Sequence, residues 1–413
     1  MSRPLVVSFV LAITACSNPG YDLQPGYGFE RALADVDLAI DTTVDRAEAL
    51  PTAWTIRAEA AELYRSRARL SGDWSDYAKA EEQLALAFAA APEGSGPHAA
   101  QAALDLTLHR LPQSETALEA AGARLNLDAP GQAGVTLGLA RIDLLTDGYS
   151  SAEAGIEASL DLHPSVGAWS DRGRVAWVTG DFSTAQAAVD QAESMYFGTS
   201  DEPRAWFHLQ RGLMDLDRGR FAEALAHYED ADAAMPGYWL VHEHIAEVLW
   251  ELDEIDAADA VYAEVVARTG APDLQDTYAE FLFERGRDDE AQDLLRLADE
   301  TWEQRLARFP EAAYGHAVGH YQITDPDRAV HLAEQQVQAQ PSAASRTQLA
   351  DAQLQVGDLA GARRSIDAAL ATDWRHADTF TVAAHIYAAQ NDAMASEWCE
   401  EAVAMNPHSD CIR

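Results

Sequence analysis

The chain has 413 residues, with 29 Lys and Arg against 68 Asp and Glu, and a formal charge of −39. A field of that sign repels phosphate backbones, which excludes nucleic acid as a partner. Hydrophobic residues make up 48%, so the acidity is not that of a disordered tail, and no apolar run of about 18 residues is present to span a bilayer. Lys79 is the single lysine; a GC-rich coding bias and an acidic surface suited to salt both produce that pattern.

Residues 1–16 read MSRPLVVSFVLAITAC. Arg3 supplies a positive start, and Pro4 to Ala15 form an apolar stretch too short to cross a bilayer, so residues 1–15 read as a signal peptide. Ile13-Thr14-Ala15-Cys16 resembles a bacterial lipobox. The resemblance implies cleavage before Cys16 and acylation of its thiol and new amine; a plain secretory signal with an incidental cysteine is the alternative. Cleavage removes Arg3 and no acid. An anionic membrane surface then offers no attraction, and anchoring rests on more than one acyl chain. Ser17 after the cysteine implies, by the same resemblance, the outer membrane of a bacterial cell envelope rather than the inner one. Residues 16–28, with Pro19, Gly20, Pro25 and Gly26, form a tether.

An amphipathic helix is predicted near Phe29 to Leu50, where it caps the N-terminal end of a helical array. Residues 29–128 carry this helix and divergent repeats. Ala80, Leu84, Ala87 and Pro92 mark one unit, its turn stretched by Ser71 to Tyr77. The unit from Gly96 to Asp128 has no turn glycine, and Pro112 is read as its break. Residues 130–407 repeat more clearly. Trp169, Gly173, Gly180, Phe182 and Ala185 are followed by Gly212, Gly219, Phe221, Ala224, Tyr228 and Pro236. Ala246, Ala258 and Tyr262 come next, then Ala279, Gly286 and Ala291. Pro310 to Pro341 has the polar turn Thr324-Asp325-Pro326. Ala350, Gly357 and Ala362, then Ala383, Ala395, Cys399 and Ala402, close the series before a tail at 408–413. Flexible points are expected at Ala91 to Pro97 and Phe197 to Pro203.

The step from Gly212 to Ala246 is 34 residues and from Ala246 to Ala279 it is 33. This resembles the tetratricopeptide repeat, a helix–turn–helix unit of about 34 residues. Small residues let two helices approach, and large ones fill the space between pairs. The resemblance implies an all-α, right-handed superhelical solenoid of about ten pairs, each touching only its neighbours. The C-terminal end is expected to be thinly capped, which favours self-association or a partner.

Catalytic motifs are scarce. The sequence has no GxGxxG, GxSxG or CxxC, and Lys79 fits no Walker motif. No enzyme activity, general acid or base, or cofactor is expected. His316 and His320, four apart on a predicted helix, are the leading metal candidates, with His331 as a third ligand from the facing helix, but Ala317 stands where a zincin needs Glu. A hydrogen-bonded core pair is the alternative. His242 and His244 are read as diverging surface residues. Cys399 and Cys411 either pair in an oxidising compartment or stay as two thiols.

By the repeat resemblance, the first helix of each pair lines the concave face. Helical spacing puts Trp177, Trp206, Glu243, Glu247, Trp250, Asp273, Asp276, Glu280, Phe283, Tyr314, Tyr321, Phe380 and Tyr387 there. Acid flanked by aromatics suits a basic, partly apolar protein or peptide. The expected function is a lipid-anchored, non-enzymatic scaffold binding another envelope protein. The alternatives are an accessory subunit of an envelope assembly, secretion or peptidoglycan machine, and a metal binder at His316 and His320.

Overall fold

The computed structural model describes residues 28–124 and 127–411. The signal peptide, Cys16 and nearly all of the tether lie outside the described residues. α1 (Gly28–Ala49) leads ten helix pairs. The first five are α2 (Trp54–Ser71) with α3 (Ser75–Ala90), α4 (His98–Thr107) with α5 (Leu111–Gly122), α6 (Ala129–Leu145) with α7 (Tyr149–Leu162), α8 (Val166–Val178) with α9 (Phe182–Ser194), and α10 (Glu202–Leu216) with α11 (Phe221–Ala234). The second five are α12 (Trp239–Glu251) with α13 (Ile255–Thr269), α14 (Pro272–Glu284) with α15 (Asp288–Arg308), α16 (Pro310–Thr324) with α17 (Pro326–Ala339), α18 (Ala343–Gln355) with α19 (Leu359–Leu370), and α20 (Ala377–Ala389) with α21 (Ala395–Met405). The fold is the expected all-α superhelical solenoid. Among the described residues no helix is long and apolar enough to cross a membrane.

Small residues sit where the two helices of a pair cross. Ala246, Ala279, Ala317, Ala350 and Ala383 on first helices are fully buried, as are Ala224, Ala258, Ala291, Ala329 and Ala362 on second ones. At Gly212 the fit is tighter still, since a Cβ there would stand 2.2 Å from the Tyr228 ring.

Most turns inside the pairs share one geometry. Shortly before the second helix, the chain takes a left-handed residue, and the next amide bonds back to the carbonyl five residues earlier. Gly180, Gly219, Gly286 and Gly357 do this, and so do His109, Asp147, Asp253 and Asn391, with φ between 56 and 86°. The returning bonds are 2.8 to 3.0 Å, for example Arg220 N to Asp215 O and Glu254 N to Leu249 O. Non-glycine residues with φ above zero are uncommon, and Asn, Asp and His are enriched among them. The unit at 96–128 is therefore a regular pair turning at His109. Pro112 is not a break: it lies in the first turn of α5, where the missing N–H has no partner to lose. Two turns differ. Between α2 and α3 the left-handed Gly72 bonds back to Ala68 O and the loop runs longer, as the stretched spacing implied. Between α16 and α17, Asp325 caps α17 by accepting from Arg328 N.

Contacts between neighbours are not the whole of the packing. Phe29 N donates to Pro236 O, and Phe29 stacks on Tyr238 at 5.8 Å, joining α1 to the start of α12. Trp239 Nε1 donates to Leu70 O at 2.8 Å, and Leu70 is buried among Ala205, Met235 and Tyr238. Phe309 and Ala312 share a core with Tyr77, Leu104 and Leu108. Ala343 N and Arg346 both donate to Asp147, which also accepts from Tyr149. Arg375 N donates to Val178 O, and His408 packs on Phe221 at 4.7 Å. Each early pair thus meets one five or six pairs later, and the second superhelical turn rests on the first. The expectation that each pair touches only its neighbours is corrected: the winding is tight enough to close.

The same closure covers the C-terminus. Asn406 and His408 lie against the turn at Gly219, Asp410 O accepts from His385, and Ser409 donates to Ala402 O. Among the described residues, the large apolar side chains left exposed there are Met394 and Val403.

Candidate functional site

First helices pack on successive first helices from α14 to α20, so they form the inner wall of the superhelix. Partly accessible charged groups converge on it. Trp177 Nε1, from α8, donates to Asp217 at 2.7 Å, just past α10. His376, at the start of α20, lies 3.4 Å from the same carboxylate and also faces Asp378. Glu243 and Glu247 of α12 and Asp273 of α14 stand within electrostatic range of this group or of each other. His316 Nδ1 of α16 lies 3.0 Å from Asp273, which also accepts from Arg305 at 3.1 Å. His316 stacks on Trp302.

The titrations of these groups diverge for stated reasons. Burial lifts Asp273, but His316 and Arg305 outweigh it and hold the carboxyl at about 2. Burial lowers His376, yet Asp217 and Asp378 outweigh it and raise the ring to about 9. His376 is thus charged at neutral pH. Its contribution to stability is complete below the ordinary histidine range and is lost as pH rises through about 9. Glu243 goes the other way from Asp273: burial first, then Asp273 and Glu247, push it up to about 7 against the pull of His244 and His316.

Glu243 gives the first prediction. Its folded pKa lies above that of the unfolded chain, so the folded state loses stability as pH rises from the ordinary carboxylate range through about 7. Relative to Glu243→Gln, the wild type should lose on the order of 1–3 kcal/mol between about pH 5 and about pH 8. Urea unfolding of both proteins at the two pH values reads this difference directly.

The expected groove residues separate into two sets. Trp177, Glu243, Glu247 and Asp273 are on the inner wall and close together, with Glu280 partly accessible on α14. The others pack. Trp206 is buried against Phe207 (5.4 Å) and Trp250 against Phe281 (5.4 Å). Asp276 is buried, accepting from Trp302 Nε1 at 2.8 Å and facing His320 at 2.7 Å. Phe283 and Tyr314 pack at the edges of cores. Tyr321 is buried with its hydroxyl donating to Asp299, Phe380 stacks on Trp398, and Tyr387 donates to Asp367 under Arg363. These aromatics fill the space within and between pairs. Absent from the expected set were Asp217, Asp378, His376 and Arg305. Asp217 and His376 meet only because two turns close.

His316 and His320 do not converge on one ion. Each faces its own carboxylate, Asp273 and Asp276, and His320 is fully buried. His331 is exposed. His242 faces Asp232 as an outer contact, but His244 is not a surface residue: it is buried against Tyr228 and bonded to Glu247. Cys399 and Cys411 are free thiols, with the Cys411 Sγ 3.5 Å from the Cys399 carbonyl. Burial and the neighbouring Cys399 push the Cys411 thiol up to about 12.

A wound stack of helix pairs with a charged inner wall defines a repeat scaffold for protein–protein interaction. Residues 215–276 match the family described as Tetratricopeptide repeat, and the pair geometry continues on both sides of the match. No curated protein matches the chain. Among solved structures it is similar to yeast Tom70, with 14% identity, a TM-score of 0.44, and coverage of 87% of this chain and 86% of that one. A tetratricopeptide repeat protein from Parabacteroides merdae is similar at 15% identity and a TM-score of 0.36, covering 58% of this chain and 93% of that one.

Proposed function

We propose that the protein is a lipid-anchored, non-enzymatic scaffold of the bacterial cell envelope, held in the outer membrane through Cys16, that takes a basic segment of a partner protein on its inner wall. The observation that carries the reading is the partly accessible cluster of Asp217, just past α10, Glu243 and Glu247 on α12, Asp273 on α14 and Asp378 on α20, where acids outnumber the cations His376, His316 and Arg305. A rigid stack presents this surface preformed, so binding loses little ordering entropy. Arrival of a cation favours ionised Glu243, so binding tightens as pH rises through about 7. In an oxidising compartment, closure of Cys399 on Cys411 would pin the C-terminal tail to the last helix.

The test is crosslinking and co-purification from the native host at low and high salt, with mass spectrometry of what is held and of Cys16. Expected are an acylated Cys16 and one envelope protein whose capture weakens at high salt and is lost on changing Glu243, Glu247 and Glu280 to Lys. Capture that ignores both salt and these changes would move the binding surface to the ends or the outer face. That result would support the accessory-subunit alternative. Recovery of only further copies of the chain would sink the basic-segment reading.

A further inference from the structure

Outside the inner wall, between the two helices of the pair α10–α11, a second cluster has the donor set of a metal centre. One ring nitrogen each from His208 and His227 and a carboxylate oxygen of Asp230 lie within 4.8 Å of one another. His208 Nδ1 is 3.9 Å from Asp230 Oδ2. His227 and Asp230 are three apart on α11 and so share one helix face, while His208 projects from α10. The Nδ1 atoms of both histidines are shielded from solvent and have no hydrogen-bond partner. Buried polar atoms without partners are rare, and two imidazole nitrogens in one cluster call for an explanation.

The surroundings fit a dication. His227 Nε2 lies 3.6 Å from Asp215 Oδ2, leaving Nδ1 as the nitrogen available to the cluster. A carboxylate behind a ligating imidazole fixes its tautomer and orientation in metal sites. Arg211 approaches from α10 but is held by Asp190 and Glu193 of α9, so its charge is offset. Arg218 and Arg220 are likewise turned to Asp215. Asp230 is exposed, which gives an ion a way in from solvent.

We infer that His208, His227 and Asp230 bind a divalent transition-metal ion, with zinc the best match to two imidazoles and a carboxylate, and that Asp215 positions His227. Ligand bonds of about 2.0–2.2 Å in a tetrahedral shell put donors about 3.4 Å apart. The cluster therefore has to tighten by roughly an ångström, within reach of side-chain rotation at Asp230. Three protein donors leave the fourth position to solvent. The bound ion would tie α10 to α11. This site is distinct from His316 and His320, which each keep a carboxylate of α14.

The test uses the full chain stripped with a chelator and titrated with Zn²⁺ by calorimetry, with the melting temperature followed with and without the ion. Expected are one Zn²⁺ per chain, a raised Tm, and at least about 100-fold weaker binding in His208→Ala and His227→Ala, whose metal-free Tm shows whether each still folds. Asp215→Asn should keep the stoichiometry and weaken binding about 10–100-fold, with recovery in Asp215→Glu. Binding that survives His208→Ala, or that is lost instead in His316→Ala, would overturn the proposal. So would a wild type that takes up no Zn²⁺.

Discussion

Trp302→Ala is expected to destabilise the protein by about 3–5 kcal/mol, the range for truncating a fully buried tryptophan. Trp302 is 0% exposed and does more than fill space. Its Nε1 donates to Asp276, which in turn faces His320. His316 stacks on its ring, and Arg305 lies over the same ring at 5.2 Å. Truncation therefore leaves a cavity between α14 and α16 and removes a donor from a buried carboxylate. It also frees the two cations that hold Asp273 at about 2. The readout is a shift of the urea midpoint, with any lost affinity for a basic partner appearing alongside it. A change below about 1 kcal/mol would mean that the region is open in solution, since truncations in closed cores of this kind cost more than that.

The second large effect is expected at Asp147, the hub between the third and ninth pairs. One carboxylate accepts from Ala343 N, Arg346 and Tyr149. Asp147 is also the left-handed residue of its turn, at φ 63°, so alanine would mix backbone strain with the lost contacts. Asn tolerates that conformation, which makes Asp147→Asn the clean variant. It removes the charge facing Arg346 and is expected to destabilise by about 1–3 kcal/mol. The distinguishing consequence is in shape: the two superhelical turns should part more readily at low denaturant, and protection of the Ala343 amide from exchange should fall. Unchanged protection would show that the apolar contacts of Ala343 and Ala344 with the third pair carry the closure alone.

What the sequence reveals is what depends on nearest neighbours. The small residues at 212, 246 and 279, the turn glycines, and the count of ten pairs behind an N-terminal helix all follow from local period. Turns without glycine were harder to read, because Asp147, Asp253, Asn391 and His109 reach the left-handed conformation with side chains that occur everywhere else in the chain. The candidate face was half legible. Glu243, Glu247 and Asp273 follow from helical spacing, whereas Trp206, Trp250 and Tyr321 share that spacing and are consumed by packing between pairs. Contacts such as His376 with Asp217 depend on superhelical pitch. Pitch accumulates from a small rotation at each of ten pairs and leaves no motif behind.

The closure of one superhelical turn on the next is what brings Asp217, Asp378 and His376 together on the inner wall, so the shape in solution is the most direct test. Small-angle X-ray scattering of the chain measures it. A closed superhelix predicts a radius of gyration within a few ångströms of the roughly 22 Å of a compact chain of this length. Asp147→Asn should shift the curve toward a longer particle. A wild-type curve that already requires separated turns, and that Asp147→Asn leaves unchanged, would contradict the closed structure.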